Sequence, residues 1–161
     1  MIALSQAPVA KAEMLIRKPA AEVFEAFIDP SITSLFWFTG GSGRLEAGKS
    51  VSWEWGMYGF SITANVLEIE TDRRIVVEWG EPDDYTQIEW KFVPRGDDQT
   101  YVTIANSGFK GEGDAMVAQA IDSTEGFTMV LCGLKALLEH GVRLNLVADK
   151  FPDAHVNDSR G

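Results

Sequence analysis

Between residues 51 and 106 apolar side chains return at every second position in five successive runs, and no other feature restricts the fold as tightly. Val51, Trp53 and Trp55 alternate with Ser52 and Glu54, and Phe60, Ile62, Ala64 and Val66 alternate with Ser61, Thr63 and Asn65. Ile75, Val77 and Trp79 flank Val76 and Glu78. Ile88, Trp90 and Phe92 alternate with Gln87, Glu89 and Lys91, and Val102, Ile104 and Asn106 with Tyr101 and Thr103. A period of two describes a strand with one buried face. The stretches EAGK, WGMYG, ETDR, GEPDD and PRGDD separate the runs with turn-forming residues, and links this short join antiparallel neighbours. The segment reads as a meander with one apolar and one polar face.

The flanking segments follow other rules. AEMLIR, residues 12 to 17, alternates and reads as one more strand. Pro19 suits the first turn of a helix on which Val23, Phe24, Phe27 and Ile28 share a face. Pro30 ends that helix and, capped by Asp29, starts a second short one with Ile32, Leu35 and Phe36 on its core face. Trp37 and Phe38 then open the sheet, pointing to opposite sides, and GGSG at 40 to 43 is a turn. From 114 to 140 the period is helical. Val117, Ala120, Ile121, Phe127, Val130, Leu131, Leu134, Leu137 and Leu138 form one broad stripe ended by Gly141. Asp114 and Asp122 are candidate caps, and Gly126 makes a break near 122 to 126 plausible. The tail after about 145 reads as peripheral and frayed at its end.

Residues 1 to 161 fit a single domain with an ordinary core, 45% hydrophobic and 24% charged, which excludes disordered and collagen-like chains. No apolar run approaches the roughly 20 residues of a membrane helix, and the N-terminus lacks the pattern of a signal peptide. One cysteine, Cys132, allows no internal disulfide and fits a cytoplasmic location. A net charge of −10 with only scattered basic pairs argues against nucleic acid and anionic lipid as partners. Two histidines, His140 and His155, and that cysteine cannot build a zinc site, so no metal and no cofactor is expected. His140 reads as a helix-end residue, Cys132 as a small buried hydrophobe, and no nucleophile motif surrounds Ser42.

A sheet with one apolar face must bury it, and the final helix is the large apolar partner. Trp53, Trp55, Trp79 and Trp90 all point inward by parity. Each buries about 150–250 Å², so they either fill the space between sheet and helix or wall a pocket there. Trp37 is expected at the pocket mouth, with Phe127 and Leu131 facing it from the helix. Asn106 is the one inward polar residue late in the sheet, and a buried amide is satisfied by backbone or presented to a ligand. Glu54, Glu78 and Glu89 have outward parity, and only a strand bulge would turn one of them inward as an acid or base.

PAAEVFEAFIDPSITSLFWF, GRLEAGKSVSWEW, VLEIETDRRIVVEW, VTIANSGFKG and EGFTMVLCGLKALLEHG, in this order and spacing, carry a resemblance. The chain resembles the START-like (SRPBCC, helix-grip) superfamily over residues 12 to about 142. Within it the likeness is to homologues of the activator of heat-shock protein 90 ATPase. The resemblance implies an α+β fold, a curved antiparallel sheet of six to seven strands wrapped around a long C-terminal helix, with two short helices between the first two strands. It departs from the family in Gly126-Phe127, where relatives often have Gly-Trp, and in Asn106, where many have histidine or another polar group. The implied functions are three. The first expectation is a binding protein for a small hydrophobic molecule, lipid-, sterol- or polyketide-like, held by Trp37, Trp53, Trp55, Trp79, Trp90, Asn106, Phe127 and Leu131. The alternatives are a protein–protein module acting on a chaperone ATPase, and a cyclase- or dehydratase-type enzyme. A homodimer paired through an edge strand is compatible with the meander but has no specific sign in the sequence.

Overall fold

The computed structural model describes residues 4–156, so the last residues of the tail, whose end is expected to fray, lie outside the described residues. Strand β1 (Ala10–Ile16) leads into α1 (Ala20–Ile28) and α2 (Pro30–Thr33). The sheet continues with β2 (Gly40–Gly41), β3 (Ser50–Trp55), β4 (Phe60–Glu70), β5 (Arg74–Gly80), β6 (Thr86–Pro94) and β7 (Thr100–Ser107). Helix α3 (Gly113–His140) and the short α4 (Leu146–Lys150) complete the chain. All pairings are antiparallel in the order β1-β7-β6-β5-β4-β3-β2, so β1 adds beside β7 and the open sheet has β1 and β2 as its edges.

The period-two reading survives in detail. Burial along β7 alternates without exception from Thr100 to Ser107, and β3 does the same from Ser50 to Trp55. The alternation is interrupted at three places: a register shift between Val66 and Glu68 accompanies an exposed Leu67, Val76 is buried between Ile75 and Val77, and Phe60 at the start of β4 is exposed. Glu54 stays outside, Glu78 accepts from the Asn65 amide and Glu89 pairs with Arg74. No bulge turns any of the three inward.

Around the first helices, local chemistry explains the turn of the chain. The Asp29 carboxylate accepts from the backbone N–H of Ser31 at 2.9 Å and its hydroxyl at 2.8 Å, capping α2 with Pro30 in its first turn. These bonds hold the Asp29 carboxyl below its ordinary value. The buried Thr33 hydroxyl donates to the carbonyls of Ala26, at 2.6 Å, and Asp29, at 3.0 Å, locking α2 onto the last turn of α1.

Helix α2 stops at Thr33, and this changes the reading of LFWF. Leu35 lies in the following turn and is exposed, whereas Phe36 is buried. Trp37 and Phe38 do not straddle a strand. They sit in the loop before β2, both buried, with ring centroids 5.4 Å apart. Gly40 and Gly41, read as a turn, are themselves the short edge strand.

Helix α3 lies over β1 and β7. The Lys135 ammonium donates to the carbonyl of Leu15 at 2.8 Å and to Glu139 at 2.7 Å, and Glu139 accepts from the Arg17 N–H at 3.0 Å. The helix runs unbroken through Gly126, and Glu112, without a side-chain bond, takes the cap position expected of Asp114 or Asp122. Its stripe is narrower than expected at the start: Val117 and Ile121 face solvent, Ile121 by 64%, while Phe127, Val130, Leu131 and Leu134 are buried. Cys132 is half-buried. Gly141 ends the helix in the left-handed region at φ 64°, as the stop signal requires. Gly133 fills a separate need: a Cβ there would lie 3.3 Å from the Phe36 carbonyl, so its absence lets the helix close on that loop.

The described part of the tail, residues 142 to 156, folds back onto the body. Val147 packs against the core, the Tyr58 hydroxyl donates to the Val147 carbonyl, and Lys150 pairs with Glu125 of α3. No helix among the described residues is long and apolar enough to cross a membrane.

Candidate functional site

Between the concave sheet face and the middle of α3 the packing leaves a cavity of about 480 Å³. Its sheet wall is Trp55, Phe60, Trp79, Thr86 and Asn106, contributed by β3 to β7 in turn. The helix wall is Gln119, Ser123, Gly126, Phe127 and Val130, whose spacing of three and four places them on one face. Tyr58, Phe60, Phe109 and the returned tail, with Val147, Lys150 and Phe151, frame the open end. Phe60 and Phe151, more than half exposed, mark where solvent enters.

The aromatic set divides. Trp37, Trp55, Trp79 and Phe127 line the cavity, but Trp53, Trp90 and Leu131 do not; they are packed behind it as core. Trp37 is also not at the mouth. Only 7% exposed, its ring stands 5.0–6.2 Å from those of Phe38, Trp53, Trp55, Trp79, Trp90 and Phe127, so it is the hub of the cluster and shows the cavity one side. Inward parity identified the residues on the concave face but not their depth, because the sheet's curvature carries some to the floor and others to the rim. The indole N–H of Trp90 is buried with no partner among the described residues.

Asn106, 2% exposed, is satisfied by the protein. Its Nδ2 donates to the Gln87 carbonyl at 2.8 Å and to Thr86 Oγ1 at 3.0 Å, while its Oδ1 accepts from the Ser123 hydroxyl at 2.8 Å. The Trp79 indole N–H also donates to Thr86 Oγ1, at 3.0 Å. The amide therefore organises the polar end of the cavity and leaves Thr86 and Ser123 to present it.

Two charged side chains belong to the wall, Asp122 and Lys150, beside the Tyr58 phenol, which donates to the Val147 carbonyl. Asp122 is exposed, and the Lys150 ammonium is held by Glu125 and stands 5.3 Å above the Phe151 ring. No group of three or more His, Cys, Asp and Glu side chains among the described residues is placed to hold a metal. The residues missed from sequence, apart from Phe60 and Thr86 at the ends of their strands, fall into two kinds. Ser123, Gly126 and Val130 were findable, since they share the helical face of Phe127. Tyr58, Phe109, Val147, Lys150 and Phe151 lie in turns and tail, where no periodicity points inward.

A seven-stranded antiparallel sheet curved around a long C-terminal helix, with two short helices after the first strand, is a START-like, helix-grip fold. The chain belongs to the family described as activator of Hsp90 ATPase homolog 1-like protein, whose model matches residues 17–139. No curated protein matches the sequence. Among solved structures, the protein SSP2350 from Staphylococcus saprophyticus is 30% identical, with a TM-score of 0.71 over 85% of this chain and 96% of that one. The Aha1 dimer from Colwellia psychrerythraea is 17% identical, with a TM-score of 0.71 over 83% of this chain and 98% of that one. DynU16, a putative protein in the dynemicin biosynthetic locus, is 20% identical, with a TM-score of 0.73 over 84% of this chain. This chain spans 48% of DynU16.

Proposed function

We propose that the chain binds a small hydrophobic molecule, lipid-, sterol- or polyketide-like, between the sheet and α3. The observation that carries the reading is the cavity of about 480 Å³ with three indoles and Phe127 in its walls, inside the 300–1,000 Å³ typical of small-molecule sites. Binding without chemistry is favoured over a cyclase or dehydratase because, of the ionisable wall residues, Asp122 is exposed, Lys150 is tied up in an ion pair and the Tyr58 hydroxyl is bonded to the Val147 carbonyl. A cytoplasmic setting belongs to the same proposal. Titration with fatty acids, sterols and aromatic polyketides, read by tryptophan fluorescence, tests it. A saturable shift with one class supports the reading, and no response to any of them removes it.

A second reading, a module acting on a chaperone ATPase, is favoured by the family itself. Adding the protein to Hsp90 and measuring ATP turnover tests it; an unchanged rate together with no detectable complex rejects it.

A further inference from the structure

Every donor and acceptor at the polar end of the cavity can be assigned, because two of the groups there have no choice. The Gln87 carbonyl can only accept, so the Asn106 amide must turn Nδ2 toward it, at 2.8 Å. The Asn106 Oδ1 can then only accept, so the Ser123 hydroxyl donates its one hydrogen there, at 2.8 Å. The Trp79 indole is a donor only, so Thr86 Oγ1 accepts from it at 3.0 Å and also accepts the second Nδ2 hydrogen at 3.0 Å. Both lone pairs of Thr86 are therefore engaged, and its hydrogen finds no acceptor among the described residues. Ser123, having given its hydrogen, accepts from none of them. Both side chains are half-buried and line the cavity.

From this assignment we propose that the cavity is built for an uncharged apolar molecule carrying a hydrogen-bond acceptor next to a donor, as in a carboxamide or a hydroxy-ketone. The acceptor takes the Thr86 hydroxyl hydrogen and the donor gives to Ser123 Oγ. The proposal rests on the reading that the cavity takes a hydrophobic ligand, and it adds which polar group that ligand bears. An anionic group is disfavoured for two reasons. The polar end offers a carboxylate one donor and one competing acceptor, and of the two charged wall residues Asp122 adds a like charge while Lys150 is already committed to Glu125. A wholly apolar ligand would leave the Thr86 hydroxyl without a partner, a cost that selects against it. Site discrimination of this kind, by polar groups left unpaired, is stronger than discrimination by shape alone.

The test is calorimetric titration of the full chain with three probes of one shape: naphthamide, naphthoate and isopropylnaphthalene. Naphthamide is expected to bind about five- to tenfold more tightly than isopropylnaphthalene, the ratio that one or two net hydrogen bonds provide, with naphthoate the weakest. Thr86→Val should remove that preference and Thr86→Ser should keep it. Ser123→Ala should reduce it and serves as the second variant if Thr86→Val does not fold. Equal or tighter binding of isopropylnaphthalene by the unaltered protein overturns the proposal while leaving the cavity as a binding site. A preference unchanged in Thr86→Val or Ser123→Ala overturns it likewise. Failure of all three probes overturns this proposal and counts against the binding reading itself.

Discussion

The Ser123 hydroxyl of α3 donates to Asn106 Oδ1 of β7 over 2.8 Å, a side-chain bond that joins helix and sheet across the cavity. Asn106 thus serves two strands and the helix at once. Replacing it by aspartate puts an acceptor against the Gln87 carbonyl in place of a donor, in a position 2% exposed. Asn106→Asp is expected to cost about 2–4 kcal/mol at neutral pH. Burial raises the pKa of such a carboxyl in the folded state, so the penalty should shrink as pH falls and the neutral acid regains a donor. Urea denaturation at pH 7.5 and pH 5 measures it; equal losses at both would contradict the assignment.

Trp37→Ala should behave as a core deletion. The indole is central to the aromatic cluster and 7% exposed, so its removal is expected to cost about 3–5 kcal/mol. Chemical denaturation reads the loss. A cost below 1 kcal/mol would restore the pocket-mouth position that the sequence suggests.

The fate of that residue illustrates what the sequence can carry. Alternation predicted the concave face of β3, β5, β6 and β7 residue by residue, because a strand's parity is local and turn chemistry marks its ends. Depth is not local. Whether Trp90 is floor and Trp79 is wall depends on how far the sheet bends around α3, which no spacing records. The same holds for Leu35, placed on a core face by its distance from Ile32 but exposed because α2 stops at Thr33. Gly126 misled in the opposite way. A glycine in a helical pattern suggests a break, yet the ladder continues and the missing side chain instead leaves room in the cavity wall.

That room makes Gly126 a clean lever on the site. A Cβ built there meets nothing within 4 Å. Gly126→Ala should stabilise the fold by up to about 1 kcal/mol through helix propensity, since no clash opposes it. Gly126→Leu projects a larger side chain into the cavity and should abolish probe binding while the melting temperature holds or rises. Loss of binding accompanied by loss of stability would mean the helix cannot carry the added volume at that face.

Acid sensitivity should centre on Glu139. Burial acts to raise its carboxyl, but the hydrogen bonds from Lys135 and the Arg17 N–H, with the charges of Lys135 and His140, outweigh it and hold the carboxyl below the ordinary value of 4.5. A depressed folded-state pKa means that the unfolded chain binds the proton more tightly. The stabilisation is therefore complete above 4.5, and it is lost as pH falls through the lower folded-state value. Glu139→Gln lacks the charge, so the variant should be less stable at neutral pH and should lose less on acidification. Denaturation midpoints from pH 7 to pH 3 distinguish the two curves, which are expected to converge at the acid end. Parallel curves would place the acid response elsewhere, with Asp29 at the cap of α2 as the next carboxylate to replace, since its bonds to Ser31 depress its pKa in the same direction.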